Sequence, residues 1–406
     1  MILDEKYRAP YFQTLRELVA IPSRSSPAGG EEGEIQNVVA QKMRDLGARV
    51  RCLEISDFHE FWNHPLCYGP HREYSGRPTV IAEIGPLDAP ALLVAAHSDT
   101  VPMFEPDKWT RDPFDPGNFD DKIYGLGVGD DKWGVAALLT LMEAIVESKL
   151  SLPKRVIFAS TIDEEHGVGN GLLFLHLAGI KAEAALYLDG GDGEILLGNL
   201  GGSTYFLHPK PGVGEVEMNE DASALDVLCR EKSKVRESLF DRPFLHENLL
   251  RPSSVFTRHL DDENGSRLLV AFATVEGEEP AQVQSEIEAL MQNALGKNLS
   301  RYEIMLRQPW FEPAFTDPNT PFVGQMCEAS RRVMGREPKV SRNIKQDAFV
   351  LINHAKIPTV SFGAGRTEMP GAFHNPDEFI ETEPTWKVVQ VAHSAVCSWL
   401  EGDAAP

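Results

Sequence analysis

Residues 91–102 read ALLVAAHSDTVP, an apolar run that stops on a histidine and an aspartate. The run 91–97 is too short for an ordinary helix and carries no polar alternation, so it reads as a strand covered on both faces. His97 and Asp99 stand two apart at its end, and on an extended backbone their side chains leave the same face. Similar runs at 79–85 (TVIAEIG), 155–162 (RVIFASTI) and 184–188 (AALYL) read as further buried strands. Between them, 11–20 (YFQTLRELVA) and 34–47 (EIQNVVAQKMRDLG) repeat apolar residues at helical spacing, and 132–148 is apolar almost all round, as in a helix buried against a sheet. The alternation predicts an α/β fold, a mostly parallel sheet with helices on both faces.

From about residue 198 the texture changes. A helix at 220–240, a strand at 266–276 (SRLLVAFATVE) and a helix at 281–296 read as a small α+β insertion. The first pattern resumes with a helix at 321–335, a strand at 357–362 and a helix near 384–400. The chain is therefore read as a first part, 1–197, an inserted domain, 198–310, and a second part, 311–406. The segment 56–78 interrupts the regularity with aromatics, prolines and histidines; it reads as a packed surface loop or as a loop lining a site.

Over 406 residues, 61 acidic side chains face 39 basic ones, a formal charge of −22. Charge of this sign repels phosphates and attracts cations, which disfavours nucleic acid and anionic membrane as partners. The five cysteines are too scattered for a zinc knuckle or a disulfide framework and read as reduced thiols. The N-terminus shows no signal-peptide pattern and no apolar run of membrane-spanning length occurs, so the expectation is an unanchored, cytoplasmic protein.

Four further stretches carry chemistry. Residues 124–134 (YGLGVGDDKWG) place Asp130 and Asp131 after a glycine-rich turn; the adjacent aspartates oppose a phosphate and favour a cation, though the turn alone is compatible with either. Residues 161–167 (TIDEEHG) put three consecutive carboxylates at a strand end, either a solvated acidic loop or a cation site. Asp189 ends the AALYL strand, and His374 lies in FHNPDEF at 373–379. Taken singly, each of these fits a structural role. Together, histidines and carboxylates at the carboxyl ends of predicted strands form a donor set suited to zinc, with cobalt or manganese as alternatives.

This order and context resemble the di-zinc aminoacylase family of metallopeptidases, which includes carboxypeptidase G, acetylornithine deacetylase and succinyl-diaminopimelate desuccinylase. The resemblance implies a zinc-exopeptidase-like catalytic domain around an inserted lid and dimerisation domain, with two zinc ions per subunit. It implies Asp130 as the carboxylate shared by both metals, Glu165 and His374 as further ligands of one, and His97 and Asp189 as those of the other. Asp99 then orients His97, Glu164 is the general base for a water between the metals, and the Asp130–Asp131 peptide is cis. The implied activity is hydrolysis of an amide bond in a small peptide or an N-acyl amino acid.

The recognition parts depart from the family. No histidine occupies 215–220, where relatives carry a lid histidine, and His208, His246 and His259 are the nearby alternatives. The relatives' carboxylate-binding arginine aligns with Phe272, Ala273 and Thr274, leaving Arg251, Arg258 or Arg267 to replace it. A substrate-side turn reads Ile344-Lys345-Gln346-Asp347-Ala348, and Gly365 and Arg366 are candidates to line the same pocket. The candidate substrate contacts are thus His208, Arg258, Gln346, Gly365 and Arg366. Three hypotheses remain open at this point: an amide hydrolase, a catalytically silent, dimeric metal-binding protein that keeps the fold, and a nucleotide-phosphate binder using the glycine turn at 125–129.

Overall fold

The structure is a computed structural model that describes residues 1–69, 72–119, 121–148, 153–241, 254–262, 265–306, 310–343 and 346–402. The chain forms two compact units. One comprises Met1–Leu197, Thr316–Val340 and Val350–Pro406, the other Gly198–Phe315 and Ser341–Phe349.

The first unit is built on strands β1 (Arg49–Leu53), β2 (Thr79–Ile84), β3 (Ala91–His97), β4 (Arg155–Thr161), β5 (Ala184–Tyr187), β6 (Ile195–Asn199) and β7 (Thr359–Phe362). Their spatial order is β6-β7-β5-β3-β4-β2-β1. The central four, β7, β5, β3 and β4, are parallel. The flanking pairings of β6, β2 and β1 are antiparallel, so the sheet is mixed. Every residue of β3 is buried, which is why it carries no polar alternation.

Helices α1 (Arg8–Val19), α2 (Gly33–Asp45), α3 (Lys132–Ser148), α4 (Asn170–Leu177), α5 (Pro321–Met334) and α6 (Thr382–Glu401) cover the two faces. Helix α3 packs on β3 and β4 and against α1 and α2, which accounts for its apolar circumference. Trp133 at its start is fully buried, as is Trp386 in α6. Side chains of this size contribute about 2–3 kcal/mol each by leaving water, and they fix α3 just behind Asp130.

The segment 56–78 packs through its aromatics: Phe58 and Phe61 meet Phe174 of α4, and Tyr74 lies against Phe61 and Trp62. The cysteines are free thiols. Among the described residues no helix is long and apolar enough to cross a membrane.

In the second unit four antiparallel strands run in the order Val255–Asp262, Gly265–Thr274, Gly201–Pro209, Tyr302–Leu306. Helices Glu215–Arg236 and Pro280–Leu295 bury Met218, Leu225, Ile287 and Met291 with Leu207 and Val270 of the sheet. The first helix starts five residues before the 220 read from periodicity, because Glu217 returns a carboxylate bond to the Gly214 amide and caps it there.

Candidate metal centre

Strands β5, β3 and β4 are parallel neighbours, so their carboxyl ends fall on one edge of the sheet. His97 closes β3, Asp163, Glu164 and Glu165 follow β4, and Asp189 follows β5. Asp130 arrives on the glycine turn before α3, across a cis peptide bond to Asp131. His374 comes from the long connection between β7 and α6.

These side chains converge in two groups that share one residue. Donor atoms of His97, Asp130 and Asp189 lie within 4.8 Å of one another, and so do those of Asp130, Glu165 and His374. The sharing is divided between the two oxygens of Asp130: Oδ1 is 3.0 Å from His97 Nε2, and Oδ2 is 3.1 Å from His374 Nε2. His374 Nε2 is also 2.9 Å from Glu165 Oε2. A carboxylate oxygen of Glu164 lies within 4.8 Å of one of Asp189, so this side chain borders the first group.

Asp99 lies beneath both groups. Its Oδ1 accepts the Glu164 amide and its Oδ2 the Glu165 amide, both at 3.0 Å, while Oδ1 is 3.5 Å from His97 Nδ1. The Asp99 carbonyl oxygen is 3.1 Å from the same Nδ1. An Nδ1–H donated there leaves Nε2 with its lone pair toward the cluster. The backbone N–H of His97 in turn donates to Asp131 Oδ2 at 3.2 Å.

The electrostatics favour a cation. Burial pushes the His97 imidazole down, yet the hydrogen bonds and charges of Asp130 and Asp99 outweigh it, and its pKa stands well above the usual histidine value. Burial likewise opposes the charged form of His374, and Glu165 and Asp130 raise it well above that value. Without another positive charge, the carboxylates hold protons on both imidazoles. Divalent ions would satisfy the same carboxylates while taking the imidazoles in their neutral form, so this mixed nitrogen and oxygen donor set fits a pair of them.

Glu378, four residues after His374, carries a role the sequence reading left unassigned. It is buried, and it accepts the Gly127 amide at 3.0 Å and the Gly129 amide at 2.7 Å. Burial pushes its carboxyl up to about 8 against the pull of those amides. One side chain thereby ties the turn before Asp130 to the segment carrying His374. In sequence Glu378 is only a carboxylate within FHNPDEF, and nothing local to it names the amides it accepts.

The candidate recognition residues divide between the two units. Gly365 bridges to Gly191 beside the Asp189 strand end, and a Cβ there would come within 2.6 Å of the Gly129 carbonyl oxygen. Arg366 donates to the Pro370 carbonyl oxygen at 3.1 Å, lies 3.6 Å from Glu381 and stacks over Phe379. His208, Arg258 and Gln346 belong to the second unit. There His208 packs edge-on to Phe206, Arg258 is exposed over the Phe256 ring, and Gln346 is buried. His259 is bonded to Asn219 and Ser266, and Arg267 lies over Phe206. His246, Arg251, Ile344 and Lys345 lie outside the described residues.

Known proteins resemble this chain over nearly its whole length. The chain is 25% identical to the acetylornithine deacetylase of Shigella sonnei (strain Ss046), over 95% of this chain and 97% of that one. The structure of human carnosine dipeptidase 1 superposes with a TM-score of 0.71 at 18% identity, covering 96% of this chain and 97% of that one. An M20 family metallo-carboxypeptidase from Sulfolobus solfataricus gives 0.67 at 20% identity, covering 97% and 99%. At these identities the solved structures speak for the fold. The model of peptidase family M20/M25/M40 matches residues 93–398, and the chain belongs to that family of amide-bond hydrolases.

Proposed function

We propose that the chain is a zinc-dependent hydrolase of a small peptide or an N-acyl amino acid, working with two metal ions and Glu164 as general base. The observation that carries the reading is the Asp130 carboxylate, with one oxygen directed at each donor group. His97, Asp130 and Asp189 would hold one ion, and Asp130, Glu165 and His374 the other. Bound there, the ions would supply Lewis acidity and lower the pKa of water toward neutrality. Cobalt and manganese suit the same donors.

The chain's own groups do the rest. Asp99 fixes the His97 ring and, through the Glu164 and Glu165 amides, the loop from which base and ligand project. Glu164 and Glu165 lie in a turn rather than a strand and border different donor groups, so Glu165 would hold a metal while Glu164 would take a proton from the attacking water and deliver it to the leaving nitrogen. The named relatives, an acetylornithine deacetylase and a carnosine dipeptidase, support both substrate classes. His208, Arg258, Gln346, Gly365 and Arg366 are proposed contacts for the rest of the substrate. The reading includes a cytoplasmic homodimer joined through the second unit, tested by light scattering; a monomer at micromolar concentration contradicts that part.

The deciding experiment loads the full chain with zinc or cobalt and screens dipeptides and N-acyl amino acids. Turnover abolished by EDTA, and lost in Glu164→Gln with metal still bound, is expected. Wild-type-like turnover in Glu164→Gln contradicts the mechanism, and full metal occupancy without turnover favours the catalytically silent alternative.

A further inference from the structure

The segment 56–78, read from sequence as a packed surface loop or a loop lining a site, is packed through its aromatics. Its last residues reach the buried side of the loop that carries Glu164 and Glu165. Asp163, fully buried, directly precedes Glu164 in that loop and adopts a left-handed backbone with φ 64°. Its carboxylate has an oxygen within 4.8 Å of one on Asp99 and one on Glu32, and it accepts four hydrogen bonds. Oδ1 accepts Ser25 Oγ at 3.0 Å and Arg72 Nη2, and Oδ2 accepts Tyr74 Oη and, at 3.1 Å, Asn170 Nδ2. Four donors fill the roughly four lone-pair sites of a carboxylate.

The donors are themselves held. Arg72 also binds the Ser26 carbonyl oxygen, Asn170 exchanges bonds with the Tyr68 backbone at 3.0 and 2.9 Å, and Arg77 forks onto Glu32 with two contacts of 2.6 Å. Arg72, Tyr74, Arg77, Glu32 and Asn170 are all buried. The far end of the loop closes tightly on the same carboxylate, since a Cβ at Gly167 would stand 2.1 Å from Asp163 Oδ2. Asp99 holds the next two amides. A buried polar network of this kind is seldom more stabilising than apolar packing of the same volume, and its best-attested use is to fix geometry.

We propose that Arg72, Tyr74, Ser25 and Asn170 are positioning residues for hydrolysis: through the Asp163 carboxylate they set where Glu164 stands. The proposal rests on Glu164 acting as the base. Arg72 and Arg77 offset the charges of Asp163 and Glu32, so the bracket adds no net charge beneath the donor groups.

The test uses the zinc-loaded full chain with Tyr74→Phe and Ser25→Ala, each of which deletes one donor and leaves both arginines in place. Displacing a base by a fraction of an ångström to one ångström lowers turnover by about 10- to 100-fold. The expected result is that loss in kcat with KM within about twofold, two metals per chain retained, and faster hydrogen exchange of the 163–167 amides in both metal-free and loaded protein. Arg72→Lys, which keeps the charge, should fall less far than Arg72→Met. Unchanged kcat and exchange in both single-donor variants overturns the proposal. If the wild type hydrolyses no amide, the base assignment fails, and the exchange measurement still decides the bracket: wild-type exchange in both variants refutes it.

Discussion

Replacing Asp99 by Asn changes one atom beneath the centre and tests how the loop is held. The Asp99 carboxylate accepts two amides, Glu164 and Glu165, each at 3.0 Å. Asparagine keeps one acceptor and turns an NH2 against the other amide, removing a hydrogen bond to a charged group. Such a bond contributes about 1.5–3 kcal/mol. At 1.36 kcal/mol per decade, loss of that contribution from the working arrangement is worth roughly 10- to 150-fold, shared between zinc affinity, through Glu165 and His97, and kcat, through Glu164. Asp99→Ala removes both acceptors and should be worse than Asn in each respect. Zinc affinity is read by competition with a chromophoric chelator, and kcat with the best substrate from the panel. An Asn variant within twofold of wild type in both quantities would refute the reasoning, as would an Ala variant better than Asn.

Two further outcomes follow from the same contacts and from a distant site. Glu378→Gln loses one of the two amide acceptors that join the Asp130 turn to the His374 segment, so metal affinity should weaken by about 10- to 100-fold with KM little changed; unaltered affinity by calorimetry contradicts the role. His393, on α6, is pushed by burial down to about 4 from 6.5 and stands 3.5 Å from the Cys397 thiol. Between those two values the unfolded chain binds the proton and the folded chain does not, so stability is lost as pH falls from about 6.5 to 4, by up to about 3 kcal/mol from this residue. Urea denaturation of His393→Leu at several pH values should show a flatter profile across that window than wild type, and an identical profile would disprove the assignment.

Much of the first unit was legible because its elements are buried and their patterns are strong. Strand β3 ends at His97 as read, and α3 spans 132–148 as read, because both carry long apolar runs that stop at polar residues. The strands at Arg49–Leu53 and Tyr302–Leu306 were missed for the opposite reason. Both are mostly exposed, and the second sets Ile304, Met305 and Leu306 toward solvent, so neither shows a period of two. At the centre, His97, Glu165 and Asp189 were readable from strand ends, whereas Asp130 follows a glycine turn and His374 a long connection, and the sharing of Asp130 was implied only by the family resemblance. Asp163 and Glu378 were invisible as positioning groups because their partners lie far off in sequence: Tyr74 and Arg72 by 89 and 91 residues, Gly129 and Gly127 by 249 and 251. No local pattern encodes such pairings.

The central claim is that Asp130 serves two metal ions at once. Its most direct test is metal stoichiometry and affinity in wild type, His97→Ala, His374→Ala and Asp130→Ala, titrated with zinc by calorimetry and counted by atomic emission. Two ions per chain are expected in wild type, one retained at near-normal affinity in each histidine variant, and both weakened together in Asp130→Ala. Two ions bound with normal affinity in Asp130→Ala, or a single ion in wild type, would contradict it.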